Sequence, residues 1–306
     1  MKAITYSTYG NPDVLELTDQ PMPKVGPGMV LIKVKAASVN PVDWKIMAGY
    51  LDAIMDVQFP VIPGWDVAGV VESVGIDTPQ FEPGEEVIAY GRRDYVHGGS
   101  FAEYMALPAH MVARKPAALD WQQSAGLPLA GLTAYQVLTR LGLSSGETVL
   151  IHGGAGGVGS LGIQIAAALG ATVIATASEK NHDFLRSLGA TPVSYGDGLA
   201  ERVRQIAPGG ADIVADFAGG NLEATLAVLK DGGRHASIAD AEVEQHGGTW
   251  MWVSPVGSDL QALADLADQG KLTVEVAKAF PLEQAAEAYR LNMEGHTRGK
   301  IIVEVS

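Results

Sequence analysis

The run ETVLIHGGAGGVGSLGIQIAAALGATVIATASEK, residues 147–180, decides the fold. It opens on a strand-like segment, ETVLI, crosses a glycine-rich loop, and enters an apolar helix-forming stretch, VGSLGIQIAAALG. A second strand-like segment, ATVIATA, follows. Gly154, Gly156 and Gly159 give the spacing GxGxxG directly after the first strand and at the mouth of the helix. That spacing alone is weak. With strand, loop, helix and second strand in order it marks a phosphate-binding βαβ unit. Glycine permits the tight turn and close approach of a pyrophosphate, and the helix start supplies free amides and partial positive charge. Gly154, Ala155, Gly156, Gly157 and Val158 are the candidate pyrophosphate contacts.

Which dinucleotide binds depends on the tip of the second strand, where an NAD site carries an acid for the ribose hydroxyls. Here that strand is read as ending at Ala177, followed by Ser178, Glu179 and Lys180. A hydroxyl and an ammonium suit a ribose 2′-phosphate, so NADPH is expected. Glu179 complicates this, because a shift of one position would restore the NAD reading. Tyr195, read as ending the third strand, is either a further phosphate partner or an ordinary surface tyrosine.

Downstream the alternation continues: TPVSY, LAERVRQIA, ADIVADF, NLEATLAVLK and RHASIA read as strand, helix, strand, helix, strand. Runs of Val, Ile and Ala between helices belong to a parallel sheet covered on both faces. Upstream the texture differs. VLIKVKAASV, VAGVVESVG, EEVIAYG and SFAEYMAL are short strands separated by Pro and Gly, the pattern of an irregular barrel or compact sheet. After LTVEVAKAF and a helix PLEQAAEAYRLNME, the strand GKIIVEV resembles the first region again. The expected fold class is α/β, a β-barrel domain plus a doubly wound parallel sheet of the Rossmann type. The expected domains are 1–118, a nucleotide-binding domain at 119–272, and a return to the first at 273–306.

Composition narrows the function classes. Across 306 residues, 47% are hydrophobic and 18% charged, which describes buried cores and not a disordered chain. A net charge of −14 argues against nucleic acid and against anionic membrane surfaces. With no cysteine, disulfides, thiolate nucleophiles and cysteine-ligated zinc are excluded. The opening MKAITYSTYG lacks an apolar signal core, so a cytoplasmic location is expected. Thr148–Ser178 holds no Asp, Glu, Lys or Arg, but its glycines and its split into helix and strand favour a buried βαβ unit over a membrane span.

With MKAITYSTYGNPDVLEL, VKAASVNPVDWKIMAG, FPVIPGWDVAGVVESVG, LPLAGLTAYQVL and the glycine-rich loop in this order, the chain resembles the medium-chain dehydrogenase/reductase superfamily, in its zinc-free quinone oxidoreductase branch. The likeness spans essentially the whole chain and implies a GroES-like β domain, completed by the C-terminal segment, joined to a Rossmann domain. Zinc-dependent relatives place metal ligands at positions matching Asn40, Trp65 and, less securely, Leu129. An indole nitrogen has no lone pair for a metal, and the seven histidines form no HxH or HxxxH pair. No zinc is expected. Without a Lewis acid, hydride transfer to a charge-delocalising acceptor is easier than alcohol oxidation. The implied activity is NADPH-dependent reduction of a quinone or an enone. A non-enzymatic NADPH-binding redox sensor or crystallin-like protein is the alternative.

By the same resemblance, Asn40 and Thr133 lie near the nicotinamide end, although Asn40 before Pro41 is also a natural turn cap. Phe217 and Ala218, read as ending the fourth strand, and Ile238, ending the fifth, sit where a Rossmann sheet meets its ligand. No single catalytic acid or base stands out. Asn40, Lys45 and Trp65 are the candidate cleft residues, with Lys45 as proton donor, acceptor-orienting cation or plain solvated lysine. Trp65 shapes a pocket or packs a core, and Asp66 beside it reads as a structural hydrogen-bonding acid. Trp250–Val253 is expected to form an edge strand that pairs two copies into a homodimer.

Overall fold

The computed structural model describes residues 1–305; Ser306, which closes the expected 273–306 segment, lies outside the described residues. The chain forms two compact units, Met1–Leu132 with the segment from Ser254 onward, and Thr133–Val253.

The second unit is built on a six-stranded sheet. Its strands lie in the order Ala190–Val193, Thr172–Thr176, Thr148–His152, Ala211–Asp216, Leu229–Ser237, Thr249–Trp250. Every neighbouring pair is parallel. By chain order this is the doubly wound 3-2-1-4-5-6 arrangement. The strands are aliphatic along their length because both faces are covered: Val149, Leu150, Ile151, Ile174 and Val214 are all buried. Strand ends fall one or two residues before the expected ones, at Thr176, Val193, Asp216 and Ser237. Ala177, Tyr195, Phe217, Ala218 and Ile238 therefore lie beyond the strand tips, on the turns. Hydrophobicity runs on past the last ladder bond, so composition alone overextends the strands.

In the first unit the expected strands assemble into a seven-stranded sheet. Met29–Val39 pairs along one edge with Asp66–Val74. Its other edge is shared, Met29–Lys33 with Tyr104–Pro108 and Ala36–Val39 with Lys300–Glu304. Glu86–Tyr90 and then Val112–Arg114 extend the sheet on one side, and Val276–Pro281 lies parallel to Lys300–Glu304 on the other. His97, outwardly a loop residue beside two glycines, sits in a short strand, Tyr95–Gly98, that pairs with Asp56–Ile62. The unit also takes in the helices Trp121–Gly126 and Gly257–Asp268, so the second unit is narrower than the expected 119–272 span. Leu260 and Leu263 of the latter helix are fully buried.

Candidate functional site

The glycine-rich loop joins strand Thr148–His152 to helix Gly157–Ala168. Close approach is what demands glycine here. A Cβ on Gly159 would lie 2.2 Å from the Gly153 carbonyl oxygen, and one on Gly154 would meet the Ala175 methyl at 2.9 Å. Both are below contact distance, so the loop is pressed onto the strand and helix beneath it. Thr176 pins it there: its Oγ1 accepts the Gly153 N–H at 3.1 Å and its carbonyl accepts the Gly154 N–H at 2.9 Å. Gly156 is the helix N-cap and brings no side chain to the first turn. The amides of Gly157 and Val158, which have no intrahelical acceptor, are left facing outward for an anion. The cradle therefore fits a dinucleotide pyrophosphate.

Adjacent strand tips converge on this loop. Asp216 pairs across the sheet with His152, and its Oδ1 accepts the N–H groups of Ala218 and Gly219 and the Asn221 amide, each at 3.0 Å. Its Oδ2 accepts the Ser237 hydroxyl at 3.2 Å, and the Ile238 N–H reaches the Asp216 carbonyl at 3.2 Å. One buried acid thus shapes the turns that carry Phe217, Ala218 and Ile238. His152 is buried, bonds Thr225 through Nε2 at 3.3 Å, and has its pKa lowered by burial against the pull of Asp216. It serves the architecture. Ser178 is half-buried at the head of the turn Glu179–Asn181, while Glu179, Lys180 and Tyr195 are exposed. Thr133 is buried in the helix Pro128–Arg140.

The first unit holds a buried polar cluster around Asp66. Register creates it: Ile302, Ser38, Asp66 and Tyr90 stand opposite one another across four strands, which brings Lys300 level with Asn40. Asp66 is fully buried. Its Oδ2 accepts the Ser38 hydroxyl at 2.6 Å and the Asn40 Nδ2 at 2.8 Å. Its Oδ1 accepts the Leu129 N–H at 2.7 Å, capping the start of the helix Pro128–Arg140. Lys300, 5% exposed, donates to Asn40 Oδ1 and stands 3.7 Å from Asp66 Oδ2. Burial pushes the Asp66 carboxyl up and the Lys300 ammonium down, and each group opposes the other's shift. Three donors and a helix N-terminus on Asp66 favour its carboxylate form.

Asn40 is 2% exposed and its amide is engaged at both ends, so the structure makes it a support for Asp66 and Lys300. It also heads the helix Pro41–Met47, donating its backbone N–H to Asp43 Oδ2 at 2.7 Å. Trp65 belongs to the core, packed edge-to-face on Tyr90 with centroids 6.0 Å apart. Lys45 is exposed over the Trp44 ring and takes no part in the cluster. Among the described residues no three His, Asp or Glu side chains converge to hold a metal ion, and no helix is long and apolar enough to cross a membrane.

Asp43 is buried, and burial, aided by the Asp66 charge and opposed by the Asn40 N–H and Lys300, pushes its carboxyl from 3.8 up to about 8. The native state therefore holds a proton that the unfolded chain has released, and folding weakens as pH rises through that window. Tyr6, Tyr90 and Tyr289 feel the same acid and stay neutral there, with their pKa values raised by burial. Asp43→Asn should lack this dependence. Its unfolding midpoint should gain on the wild type between pH 5 and pH 8.5, and a constant difference would show Asp43 ionised throughout.

Comparison with known proteins adds the following. Residues 26–117 match the alcohol dehydrogenase GroES-like domain family, and residues 188–303 match the zinc-binding dehydrogenase family. The chain is 38% identical to an NADPH-dependent alkenal/one oxidoreductase, chloroplastic, of Arabidopsis thaliana, over 99% of this chain and 79% of that protein. The quinone oxidoreductase of Coxiella burnetii superposes with a TM-score of 0.87 at 34% identity, covering 100% of this chain and 99% of that one. A mycobacterial protein solved in complex with NADPH superposes with a TM-score of 0.86 at 28% identity, covering 100% of both chains.

Proposed function

The chain belongs to the quinone oxidoreductase branch of the medium-chain dehydrogenase/reductase superfamily, and on that footing we propose that it is an NADPH-dependent reductase of quinones or α,β-unsaturated carbonyls. The observation that carries the reading is the cradle at Gly154–Val158, pressed onto Thr176 and opening on a helix start whose N-cap, Gly156, brings no side chain. When bound, NADPH supplies the hydride. The chain's own residues do the rest. The amides of Gly157 and Val158 hold the pyrophosphate. Ser178, Lys180 and Tyr195, at neighbouring strand tips, take the ribose 2′-phosphate. Asp216 fixes the turns on which Phe217, Ala218 and Ile238 meet the cofactor.

The reaction proceeds without zinc. The positions matching the metal ligands of relatives carry an amide engaged with Lys300 and Asp66, a core indole and an aliphatic side chain, at Asn40, Trp65 and Leu129. The acceptor must then spread the charge it gains, which conjugated carbonyls and quinones do and saturated aldehydes do not. The protein works as a cytoplasmic homodimer joined at the sheet edge around Trp250–Val253, where Trp250 is 41% exposed. Only Thr249–Trp250 of that edge is strand, shorter than expected because the chain leaves the ladder after Trp250 and Met251 turns into the core.

The test is the rate of NADPH oxidation with an alkenal, a benzoquinone and a saturated aldehyde, repeated with NADH. Conjugated acceptors should turn over and the saturated aldehyde should not. NADPH should be preferred by about tenfold or more in kcat/KM, the worth of about 1.4 kcal/mol of phosphate contact. Turnover confined to saturated aldehydes would overturn the reading.

A further inference from the structure

The loop of residues 194–198, between strand Ala190–Val193 and helix Leu199–Ile206, is wrapped around one guanidinium. Arg202 Nε donates to the Ser194 carbonyl at 3.1 Å and Nη1 to the Asp197 carbonyl at 2.8 Å. Nη2 donates to Ser194 at 2.8 Å and Gly196 at 3.2 Å, with the Tyr195 carbonyl at 3.5 Å. Gly196 and Gly198, at φ +85° and +75°, turn the chain so that successive carbonyls face inward. A surface loop ordinarily leaves such carbonyls to water, so their capture by one side chain fixes the loop's shape. Among the described residues no carboxylate lies in salt-bridge range of Arg202, so the loop carbonyls are its partners.

The loop's place gives this shape a use. Thr176 and Val193 are paired neighbours, so Ser178 and Tyr195 each stand two residues beyond them, on adjacent strand tips. Ser178 is set by its own turn, through the Asn181 N–H on its carbonyl at 2.9 Å. Tyr195 is 62% exposed, so the loop backbone sets where its side chain starts and which positions its hydroxyl can reach. We propose that Arg202 is a positioning residue for the 2′-phosphate: by gathering the carbonyls of residues 194–197 it holds the Tyr195 loop in a binding-ready form. It does so without touching the phosphate. This rests on the assignment of Ser178, Lys180 and Tyr195 to that phosphate.

The test is the dissociation constants of NADPH and NADH, by calorimetry, for the wild type, Arg202→Met, Arg202→Lys, Tyr195→Phe and Lys180→Ala. Arg202→Met should weaken NADPH by about tenfold and NADH by less than about twofold. Arg202→Lys keeps the charge but not the five-donor fork, and should fall between. In the Arg202→Met background, Tyr195→Phe should have no further effect, because both act through one contact. Equal losses for the two cofactors would reduce Arg202 to general scaffolding and overturn the proposal. So would an unchanged NADPH constant in both arginine variants while Lys180→Ala loses the preference. If the wild type binds both cofactors alike and Lys180→Ala changes neither, the phosphate assignment itself falls. Thermal midpoints of the cofactor-free proteins accompany each constant, and Arg202→Lys decides the matter if Arg202→Met fails to fold.

Discussion

Lys300→Met should lower the stability of the fold by about 3–5 kcal/mol, the usual consequence of removing one partner of a buried charge pair. The ammonium is the only cation among the described residues that the Asp66 carboxylate faces, and it also orients the Asn40 amide. Methionine matches the stem of lysine but leaves Asp66 charged and dry. Asp66 would answer by holding a proton, so the deficit should be smaller at pH 5 than at pH 8: a carboxyl whose folded pKa is raised gives its stability at low pH and loses it as pH rises. Urea unfolding midpoints at the two pH values measure this. An unchanged midpoint at pH 8 would mean that the cluster is wet or the pair absent.

Gly159→Ala should abolish useful cofactor binding, raising the NADPH dissociation constant at least about 100-fold, equivalent to about 2.7 kcal/mol. Its Cβ would fall 2.2 Å from the Gly153 carbonyl oxygen, a backbone atom that moves only if the loop moves. The control is Gly156→Ala, whose Cβ would lie 3.4 Å from the same oxygen, within ordinary contact. That variant should fold with an unchanged thermal midpoint, and any loss of affinity must then come from the methyl meeting the pyrophosphate. Equal affinity for wild type and Gly159→Ala would remove the loop from the cofactor site.

The nucleotide-binding half was legible because its signals are local. Strand, loop and helix at Thr148–Ala168 follow within one stretch of chain, and GxGxxG carries a steric reason at its first and last glycines, Gly154 and Gly159. The buried cluster was legible only in part. Asp66 read correctly as a hydrogen-bonding acid, but Lys300 looks like the wetted start of the strand GKIIVEV, and its partner Asn40 is 260 residues away. No periodicity reports a contact that register creates across separate strands. The resemblance puts Asn40 near the cofactor, and what no resemblance shows is that its amide bonds two charged neighbours, Asp66 and Lys300. Arg202 escaped notice for a simpler reason: on an amphipathic helix an arginine reads as solvated face, and the carbonyls it gathers carry no sequence signature.

The shared edge of the strand Met29–Val39 has a consequence for biosynthesis. Tyr104–Pro108 covers only its first half, and Ala36–Val39 waits for Lys300–Glu304. A ribosome makes the whole of Thr133–Val253 in between. The nucleotide-binding unit, whose contacts are mostly between successive elements, is ready to fold while its predecessor still shows an open edge and a carboxylate without its ammonium. Until Lys300 emerges, Asp66 keeps its water. The nascent chain thus completes its second unit before its first, and the interval exposes residues 36–39 as the point where a chaperone or a stray strand would bind.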